Sequence, residues 1–381
     1  MKIGIITIHN STNYGACLQS WALYKFLIDY GYDCEIIDLH RPVHQDYIYS
    51  KKYVDYNGAC KKAQKFNLKS FIKKYVFRKK IPSYKIERMR KFETFNSQIK
   101  LSAAYRSIDE LYSNPPSYDI YITGSDQLWN PTQPFCIEPY FLTFVKSPSA
   151  KKISYAASIG HDTLSEKEKE DFKHWLLSYN HISVREYEAK QLLESLVSKP
   201  ISQVSDPTFL LGPDYWRSIA KAPNEKVPYI LCFKLNSGCQ LADYVIKIGK
   251  ELNKKVIVLT TTEDNIKNCQ IVRNAGVEEF LGYIAHADML ISDSFHANVF
   301  GLLLGVKNLW AYISPDNHRG SRLRSLFLTF GMHNHFIASD FSTEAKTLKS
   351  DLINNDEIYK IALSEQKKSS DFLLNAIRNN N

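Results

Sequence analysis

Short continuous apolar runs alternate with helical stripes along this chain of 381 residues. The first run spans residues 3–8, and apolar residues from Leu18 to Leu27 follow it at helical spacing. Gly31 ends that helix before a second apolar run at 34–39. Strands that are apolar along their whole length are typical of a parallel sheet covered on both faces. The chain therefore opens with a predicted β-α-β unit.

The same pattern continues in two series of strands separated near residue 211. Helices are predicted near 241–252 and 297–304, and Ser165 with Glu168 has the spacing of a capping box that opens another helix. After residue 100, the predicted strands of the first series are at 118–123, 152–158, 181–184 and 201–204, and those of the second are at 229–235, 255–260, 288–292 and 308–313.

A Gly-Pro pair and two further prolines punctuate residues 212–228, and this indicates a domain boundary. We expect an N-terminal domain over 1–211, a C-terminal domain over 212–350 and a last helical stretch over 351–381 that returns to the first domain. The predicted fold class is α/β. Two Rossmann-like, doubly wound domains would face each other across a cleft, with ligands at the carboxyl ends of the strands.

Composition limits the class of protein. The seven cysteines are scattered and form no CxxC pair, which argues against a zinc ribbon and against a secreted disulfide scaffold. No run reaches the roughly 18 apolar residues of a membrane-spanning helix, and the first residues lack the pattern of a secretory signal. We therefore expect a soluble cytoplasmic protein.

The formal charge of +9 is concentrated in one segment. Residues 51–100 hold sixteen Lys or Arg against three Asp or Glu, a balance of +13, so the rest of the chain sums to −4. Aromatic residues from Tyr47 to Phe77 are interleaved with these lysines. The segment at about 45–100 suits an anionic bilayer surface, and a solvated arm or a dimer contact is the alternative. Nucleic-acid binding is not expected, because it would leave the polar strand ends unexplained.

Polar residues follow the first predicted strand. Asn13, Tyr14 and Gly15 lie before a helix, where backbone N–H groups and the positive helix end suit an anion or a sugar oxygen. A polar turn with a glycine is the equal alternative. The chain has neither a GxGxxG nor a P-loop motif, so a nucleotide fingerprint is not supported.

A denser polar set follows the strand at 118–123. A glycine there lets a ligand approach the backbone, and the face of Trp129 could carry a sugar ring. A capped turn with a packed tryptophan is the alternative. The candidate residues of this set are Gly124, Ser125, Asp126, Gln127 and Trp129.

Arg185 follows the strand at 181–184, directly before a predicted helix. A guanidinium in that place could bind a carboxylate or phosphate through a bidentate fork. The alternative is an exposed arginine that pairs with Glu186 or Glu188.

The most informative segment is 291–300, where an apolar strand ends in Asp293 and Ser294 and passes into an apolar helix. His296 would lie at the N-terminus of that helix, beside N–H groups able to hold an oxyanion, as a general acid or base near a phosphate requires. A structural histidine is the alternative. No HExxH or similar spacing accompanies it, so no metal site is expected.

Two arginines downstream could complete an anion site. Arg319 and Arg322 are three residues apart in a predicted helix, so their side chains could point one way. The alternative is that both are simply solvated.

Taken together, these segments resemble the polysaccharide pyruvyl transferase family, in the family's order and over roughly residues 10–330. Many members have Gly-Thr after the histidine, where this chain has Ala297-Asn298. The matching pieces are Asn13-Tyr14-Gly15 with Leu18-Gln19, Gly124 to Asn130, Ser154-Tyr155-Ala156-Ala157-Ser158, Ser183-Val184-Arg185-Glu186, Asp206-Pro207-Thr208 and Asp293-Ser294-Phe295-His296.

The resemblance implies a fold similar to that of the GT-B glycosyltransferases. It implies phosphoenolpyruvate as the donor substrate, no cofactor, and a hydroxyl pair of a galactose- or mannose-type sugar as the acceptor. The acceptor could be an undecaprenyl-diphosphate-linked oligosaccharide of capsule or exopolysaccharide synthesis. The basic segment at 45–100 would then contact the inner face of the cell membrane, where such an acceptor lies.

The family's arginine, its histidine and its Ser-Arg pair map onto Arg185, His296 and Arg322. In the implied mechanism, Arg185 and Arg322 hold the carboxylate and the phosphate of the donor. His296 or a nearby carboxylic acid then assists protonation at C3. Asp126 or Asp293 accepts the proton of the attacking sugar hydroxyl.

Two other functions fit the same pattern. A GT-B-like glycosyltransferase that uses a sugar nucleotide would share the architecture and the polar cleft. A noncatalytic sugar-binding protein of polysaccharide assembly would be favoured if Arg185 and His296 lay far apart.

Overall fold

The computed structural model describes residues 1–50, 52, 81–315 and 320–379. Within these ranges the strands form two sheets of six strands each, and every neighbouring pair is parallel. The first sheet contains β1 (Lys2–Ile6), β2 (Asp33–Ile36), β3 (Ile120–Thr123), β4 (Lys151–Ala157), β5 (His181–Val184) and β6 (Ile201–Gln203). The second contains β7 (Tyr229–Lys234), β8 (Lys255–Thr260), β9 (Gln270–Val272), β10 (Met289–Ser292), β11 (Leu309–Tyr312) and β12 (Phe336–Ile337).

The α-helices of the described residues lie between and around these strands. They are α1 (Tyr14–Asp29), α2 (Ser83–Asn96), α3 (Ile108–Ser113), α4 (Glu166–Leu176), α5 (Tyr187–Glu194), α6 (Gly212–Ile219), α7 (Gln240–Glu251), α8 (Val277–Ala285), α9 (Phe295–Leu304), α10 (Ser321–Thr329), α11 (Ala345–Ser350) and α12 (Asn355–Arg378). Single 3-10 turns occupy Glu138–Phe141 and Pro207–Leu211.

The predicted α/β class is confirmed, and each strand predicted from an apolar run is present. The bounds of β5 and β8 agree with the prediction, and the ends of the others differ by at most three residues. Every residue of β3, β7, β10 and β11 is buried, as expected for strands covered on both faces. The predicted capping box at Ser165 and Glu168 opens α4. Two short strands, β9 and β12, were not predicted.

Strand order determines where a ligand can bind. The order is β2-β1-β3-β4-β5-β6 in the first sheet and β12-β11-β10-β7-β8-β9 in the second. The order in which successive strands are added across the sheet reverses between β1 and β3 in one domain and between β7 and β10 in the other. In doubly wound sheets, ligands bind outside the carboxyl ends of the strands at such a reversal. A ligand-binding site is therefore expected in the loops that follow these four strands.

The two domains contact each other through α1 and α2. The Tyr14 hydroxyl donates to the carbonyl of Ala275 at 2.7 Å, and its ring stacks on Phe280 with centroids 4.4 Å apart. From α2, the ammonium of Lys91 donates to both carboxylate oxygens of Glu279 at 2.8 and 2.9 Å. Burial raises the pKa of Tyr14 far above its ordinary value, so this hydroxyl stays neutral.

The last helix, α12, lies against the first sheet's domain. Ser205 N donates to Ser369 Oγ at 2.9 Å, and Gln366 donates to the carbonyl of Leu210 at 2.9 Å. Lys151 Nζ caps the end of the helix by donating to the carbonyls of Ala376 and Ile377 at 3.1 and 2.7 Å.

Most of the basic segment expected to meet a membrane lies outside the described residues. Its described end, α2, contacts the second domain instead of forming a free arm. In the part of the chain that the structure describes, no helix is both long enough and apolar enough to cross a membrane.

Candidate active site

A cleft of about 760 Å³ opens at the carboxyl ends of the strands of both sheets. It lies beside the strand pairs at which the strand order of each sheet reverses. Its lining residues come from both domains. The first domain contributes Ser11, Asn13, Arg41, Asp126, Gln127 and His161, and the second contributes Asn236, Asp293, Ser294, Phe295, His296 and Arg322. The cleft is thus polar and carries side chains of both charges.

Asn13 and Gly15 lie at the start of α1, and this end of the helix borders the cleft. The Asn13 side chain caps the helix by accepting from Ala16 N at 3.2 Å. Gly15 lies against the ring of His296, since a Cβ at position 15 would be only 2.0 Å from Nδ1. The predicted segment therefore contacts the histidine, whereas Tyr14 joins the two domains and does not line the cleft.

Asp126 lines the cleft from the loop after β3. Its backbone is left-handed, with φ of 74°, a conformation that is uncommon outside glycine. Its carbonyl accepts from Ser158 N at 3.1 Å and from Leu128 N at 2.7 Å, which fixes the turn. One carboxylate oxygen accepts from Gln127 N at 2.8 Å.

Two other members of this polar set, Trp129 and Gly124, lie in the interior. The sequence predicts that Trp129 offers a face to a sugar, but its ring is 0% exposed and stacks on Phe141 at 4.7 Å. Its Nε1 donates to the carbonyl of Tyr140 at 3.0 Å. Gly124 is needed for packing, because a Cβ there would lie 2.9 Å from Thr7. These two residues support the turn and do not reach the cleft.

Asp293 is held by the loop that follows β7. One of its oxygens accepts from Leu235 N at 2.7 Å, and the other accepts from Asn236 N and Nδ2 at 3.1 and 2.8 Å. Burial raises the pKa of Asp293, and these hydrogen bonds oppose the shift. Both oxygens of Asp293 are thus engaged by this loop, one through Leu235 and the other through Asn236.

His296 is the second residue of α9, whose N-cap is Ser294. The Ser294 hydroxyl accepts from Ala297 N at 3.4 Å. The His296 side chain is 9% exposed, and its Nε2 lies 3.3 Å from Oδ2 of Asp206. The two atoms are close enough to form an ion pair but are not aligned as a hydrogen bond. The predicted place of the histidine, at a helix N-terminus facing the cleft, is the observed one.

Arg185 is buried behind Phe295 instead of facing the cleft. Its Nη1 donates to Asp206 Oδ2 at 2.7 Å and its Nε donates to Glu186 Oε1 at 2.9 Å. Its guanidinium carbon lies 4.2 Å from the centroid of the Phe295 ring. The family resemblance implies that Arg185 holds the donor, but two buried carboxylates already accept from its Nε and Nη1. Arg185 pairs with Glu186, as the alternative prediction proposed. That alternative also expected an exposed side chain, whereas the side chain of Arg185 is only 3% exposed.

Asp206 lies at the centre of this buried network. Its Oδ1 accepts from Thr208 N at 3.1 Å and Oγ1 at 2.9 Å, and its Oδ2 also accepts from Ser125 Oγ at 3.3 Å. Burial alone would raise its pKa. The attraction of His296 and of Arg185 outweighs burial and holds the pKa of Asp206 well below its ordinary value. This carboxylate is therefore ionised at neutral pH.

Two arginines line the cleft itself, Arg41 and Arg322. The Arg322 guanidinium lies 5.9 Å from the Phe295 ring centroid. With the Gln127 amide turned so that its oxygen faces Arg322, that oxygen accepts from Nη1 and Nη2 at 2.9 Å each. Arg41 stacks over Phe135 at 5.7 Å. Arg319, predicted to act with Arg322, lies outside the described residues.

Sequence reasoning missed Asp206 as a site residue and missed Arg41 altogether. Asp206 follows β6, the neighbour of β5 in the sheet, so its nearness to Arg185 follows from strand order. Arg41 comes soon after β2 at the same edge of the sheet as the other candidates. In both cases the signal was a polar residue just beyond a strand end.

Comparisons with known proteins found solved structures that align along nearly the whole chain. The S. aureus MnaA co-structure with UDP is 11% identical, covers 99% of this chain and 96% of that chain, and has a TM-score of 0.52. A putative UDP-N-acetylglucosamine 2-epimerase from Listeria monocytogenes has 10% identity, 98% and 90% coverage, and a TM-score of 0.47. The calicheamicin glycosyltransferase CalG4 has 10% identity, 100% and 99% coverage, and a TM-score of 0.47. At such low identity the likeness to MnaA shows the fold alone, and with the two parallel sheets it confirms two Rossmann-like domains in a GT-B-like arrangement.

A comparison with curated proteins found no match. The family model for polysaccharide pyruvyl transferase, in contrast, matches residues 13–315. The match begins at the N-cap of α1 and includes Asp126, Asp206 and His296. It covers well over half of the chain, so this protein belongs to the polysaccharide pyruvyl transferase family.

Proposed function

We propose that this protein transfers the enolpyruvyl group of phosphoenolpyruvate to two hydroxyls of a sugar, forming a pyruvyl ketal and releasing phosphate. The observation that carries the proposal is the convergence of His296, Asp126 and two arginines on one cleft between the domains. An acid, a base and cations are the groups that this reaction needs. Membership of the family supports the same reaction class.

Arg322 and Arg41 bind the donor in this proposal. Phosphoenolpyruvate carries a carboxylate and a phosphate, and guanidinium groups bind both through charge-assisted hydrogen bonds. Both arginines line the cleft, whereas Arg185 is committed to Asp206 and Glu186. The N-terminal turn of α9, with Ser294, adds N–H groups and a positive helix end on the same side.

His296 acts as the acid. It gives a proton to C3 of the donor, so that the methylene becomes a methyl group and C2 becomes electrophilic. A sugar hydroxyl then adds to C2 and loses its proton to Asp126. Phosphate leaves with its bonding electron pair, and a second hydroxyl adds to C2 and loses its proton. One proton enters at C3 and two leave the hydroxyls, so the ketal forms with the net release of hydrogen phosphate.

The acceptor in this proposal is a galactose- or mannose-type sugar on a lipid-linked oligosaccharide of capsule or exopolysaccharide synthesis. Its two reacting hydroxyls must reach the cleft together. The charge of residues 51–100 supports a lipid-linked acceptor, because a basic aromatic segment is suited to an anionic surface such as the inner face of the membrane.

Calorimetric titration with phosphoenolpyruvate tests donor binding. Wild type is expected to bind it, and Arg322→Ala is expected to bind it about 10- to 100-fold more weakly, since a hydrogen bond to a charged group contributes about 1.5–3 kcal/mol. Arg217→Ala is the matched control, because Arg217 pairs with Asp214 on the surface. Binding of sugar nucleotides in place of phosphoenolpyruvate would favour a glycosyltransferase instead.

A further inference from the structure

Asp206 contacts the candidate acid without lining the cleft. It lies in the first domain, just after β6, whereas His296 belongs to α9 of the second domain. The side chain of Asp206 is 0% exposed, so it cannot touch a substrate. Its effect on the reaction must therefore pass through His296.

The contacts of Asp206 fix which of its oxygens faces the histidine. Thr208 donates twice to Oδ1, from its backbone N and from Oγ1. Arg185 Nη1 and Ser125 Oγ contact Oδ2, the oxygen that lies 3.3 Å from His296 Nε2. The carboxylate is thus held from both ends and cannot rotate away from the ring without losing these partners.

The charge of Asp206 then determines where the ring keeps its proton. An ionised oxygen 3.3 Å from Nε2 attracts a proton on that nitrogen and repels a lone pair there. Among the described residues, no donor forms a hydrogen bond to Nε2 that would favour the opposite tautomer. Nδ1 lies beside Gly15, at the turn of α1 that opens on the cleft.

We propose that Asp206 is a positioning residue, which holds one proton of His296 on Nε2 and so leaves Nδ1 as the nitrogen that exchanges a proton with the substrate. The kinetic part of this inference rests on the proposed function. Arg185 and Ser125 act one step further out, because they hold the Asp206 oxygen in place. Arg185 is thus required for the site even though it lies behind Phe295.

The arrangement also makes the acid depend on how the two domains dock. Neither domain holds both members of the pair, and Gly15 of the first domain lies beside the ring near Nδ1. The tautomer is set only when α9 lies against α1 and the segment after β6.

The ¹⁵N shifts of the histidine rings test the positioning role directly, since a protonated ring nitrogen and a bare one resonate far apart. The chain has 11 histidines, and the signal of His296 is identified by its loss in His296→Gln. At about pH 9, where an ordinary imidazole is neutral, wild type is expected to carry its proton on Nε2. In Asp206→Asn, the proton is expected to move to Nδ1 in a large part of the molecules.

Thr208→Val is the matched control. It removes the Oγ1 contact to Oδ1 but leaves Oδ2 facing the ring, so the wild-type tautomer should persist. A wild-type ring protonated on Nδ1 would overturn the proposal, and this holds even if Asp206→Asn does not fold. A folded Asp206→Asn protein with an unchanged tautomer, or an equal change in Thr208→Val, would also overturn it.

Turnover gives a second, separate measurement. Acceptor-dependent phosphate release by Asp206→Asn is expected to have a kcat lower by about 10²- to 10⁴-fold, the usual contribution of general acid–base catalysis, with little change in KM for phosphoenolpyruvate. An unchanged kcat would contradict the positioning role. If wild type itself does not release phosphate, the proposed reaction fails, whereas the tautomer measurement still decides the role of Asp206.

Discussion

Gly15 of α1 lies against the ring of His296 in α9, so closely that a Cβ on residue 15 would be 2.0 Å from Nδ1 and 2.5 Å from the ring carbon Cγ. The contact joins the two domains at the cleft. Only glycine allows the helix and the ring to approach this far. The position of the candidate acid therefore depends on one residue of the opposite domain.

Gly15→Ala is expected to displace the histidine ring and lower kcat. The ring cannot swing aside cheaply, because its other edge faces Asp206. A misplacement of about 1 Å at a catalytic group can cost about 100-fold in rate. The measurement is steady-state turnover together with the urea midpoint of unfolding.

Gly31→Ala is the control for this variant. Gly31 has a φ of 81° and no atom within 4 Å of a built Cβ, so alanine meets strain but no neighbour. It should lower the free energy of unfolding by about 1–2 kcal/mol and leave kcat unchanged. Equal kcat for the Gly15 variant and wild type would show that the histidine does not depend on this contact.

Arg185→Ala is expected to destabilise the fold as well as stop turnover. Its loss leaves Asp206 and Glu186 as buried carboxylates without their cation, and breaking a buried pair costs about 3–5 kcal/mol. His296→Ala should also stop turnover, but at a cost of about 1–2 kcal/mol, because Asp206 keeps its arginine. Urea unfolding of both variants measures the difference. Wild-type stability of Arg185→Ala would contradict the buried network.

The acid side of the stability profile should depend on Asp206. Its pKa is depressed in the native protein, so its contribution is fully present above the ordinary pKa of about 4 and is lost as pH falls toward the native pKa. The difference in free energy of unfolding between wild type and Asp206→Asn should be constant above about pH 5 and shrink below about pH 4. A difference that does not change with pH would show that the carboxylate has an ordinary pKa.

The two cleft arginines are expected to affect donor binding more than the rate of chemistry. Arg41→Ala and Arg322→Ala should each raise KM for phosphoenolpyruvate by about 10- to 100-fold, through loss of charge-assisted hydrogen bonds. Steady-state kinetics at saturating acceptor measures this effect. An unchanged KM in both variants would mean that the donor is held elsewhere.

The sequence predicts the fold well because the strands are apolar on both faces. Runs such as those of β7 and β10 cannot be confused with amphipathic strands, and their order implies parallel pairing. β9 and β12 were missed because three and two residues are too few to show a period. Chain order also placed Asp126, Ser294 and His296 at one edge of the sheets.

Side-chain direction within loops was not predictable in the same way. Trp129 and Asp126 are three residues apart in one polar loop, yet one enters the core and the other enters the cleft. A loop has no period from which to infer direction. The environment of Arg185 depends on Asp206, which is 21 positions away in sequence and became its neighbour only through the adjacency of β5 and β6.

The most direct test of the proposed reaction is to incubate wild type and His296→Ala with phosphoenolpyruvate and a panel of lipid-linked galactose- and mannose-type acceptors, while inorganic phosphate and product mass are followed together. The account predicts phosphate release that requires an acceptor, equals the amount of product heavier by one pyruvyl ketal, and is abolished in the variant. Absence of this release with every acceptor, together with transfer of a sugar from a sugar nucleotide, would contradict it.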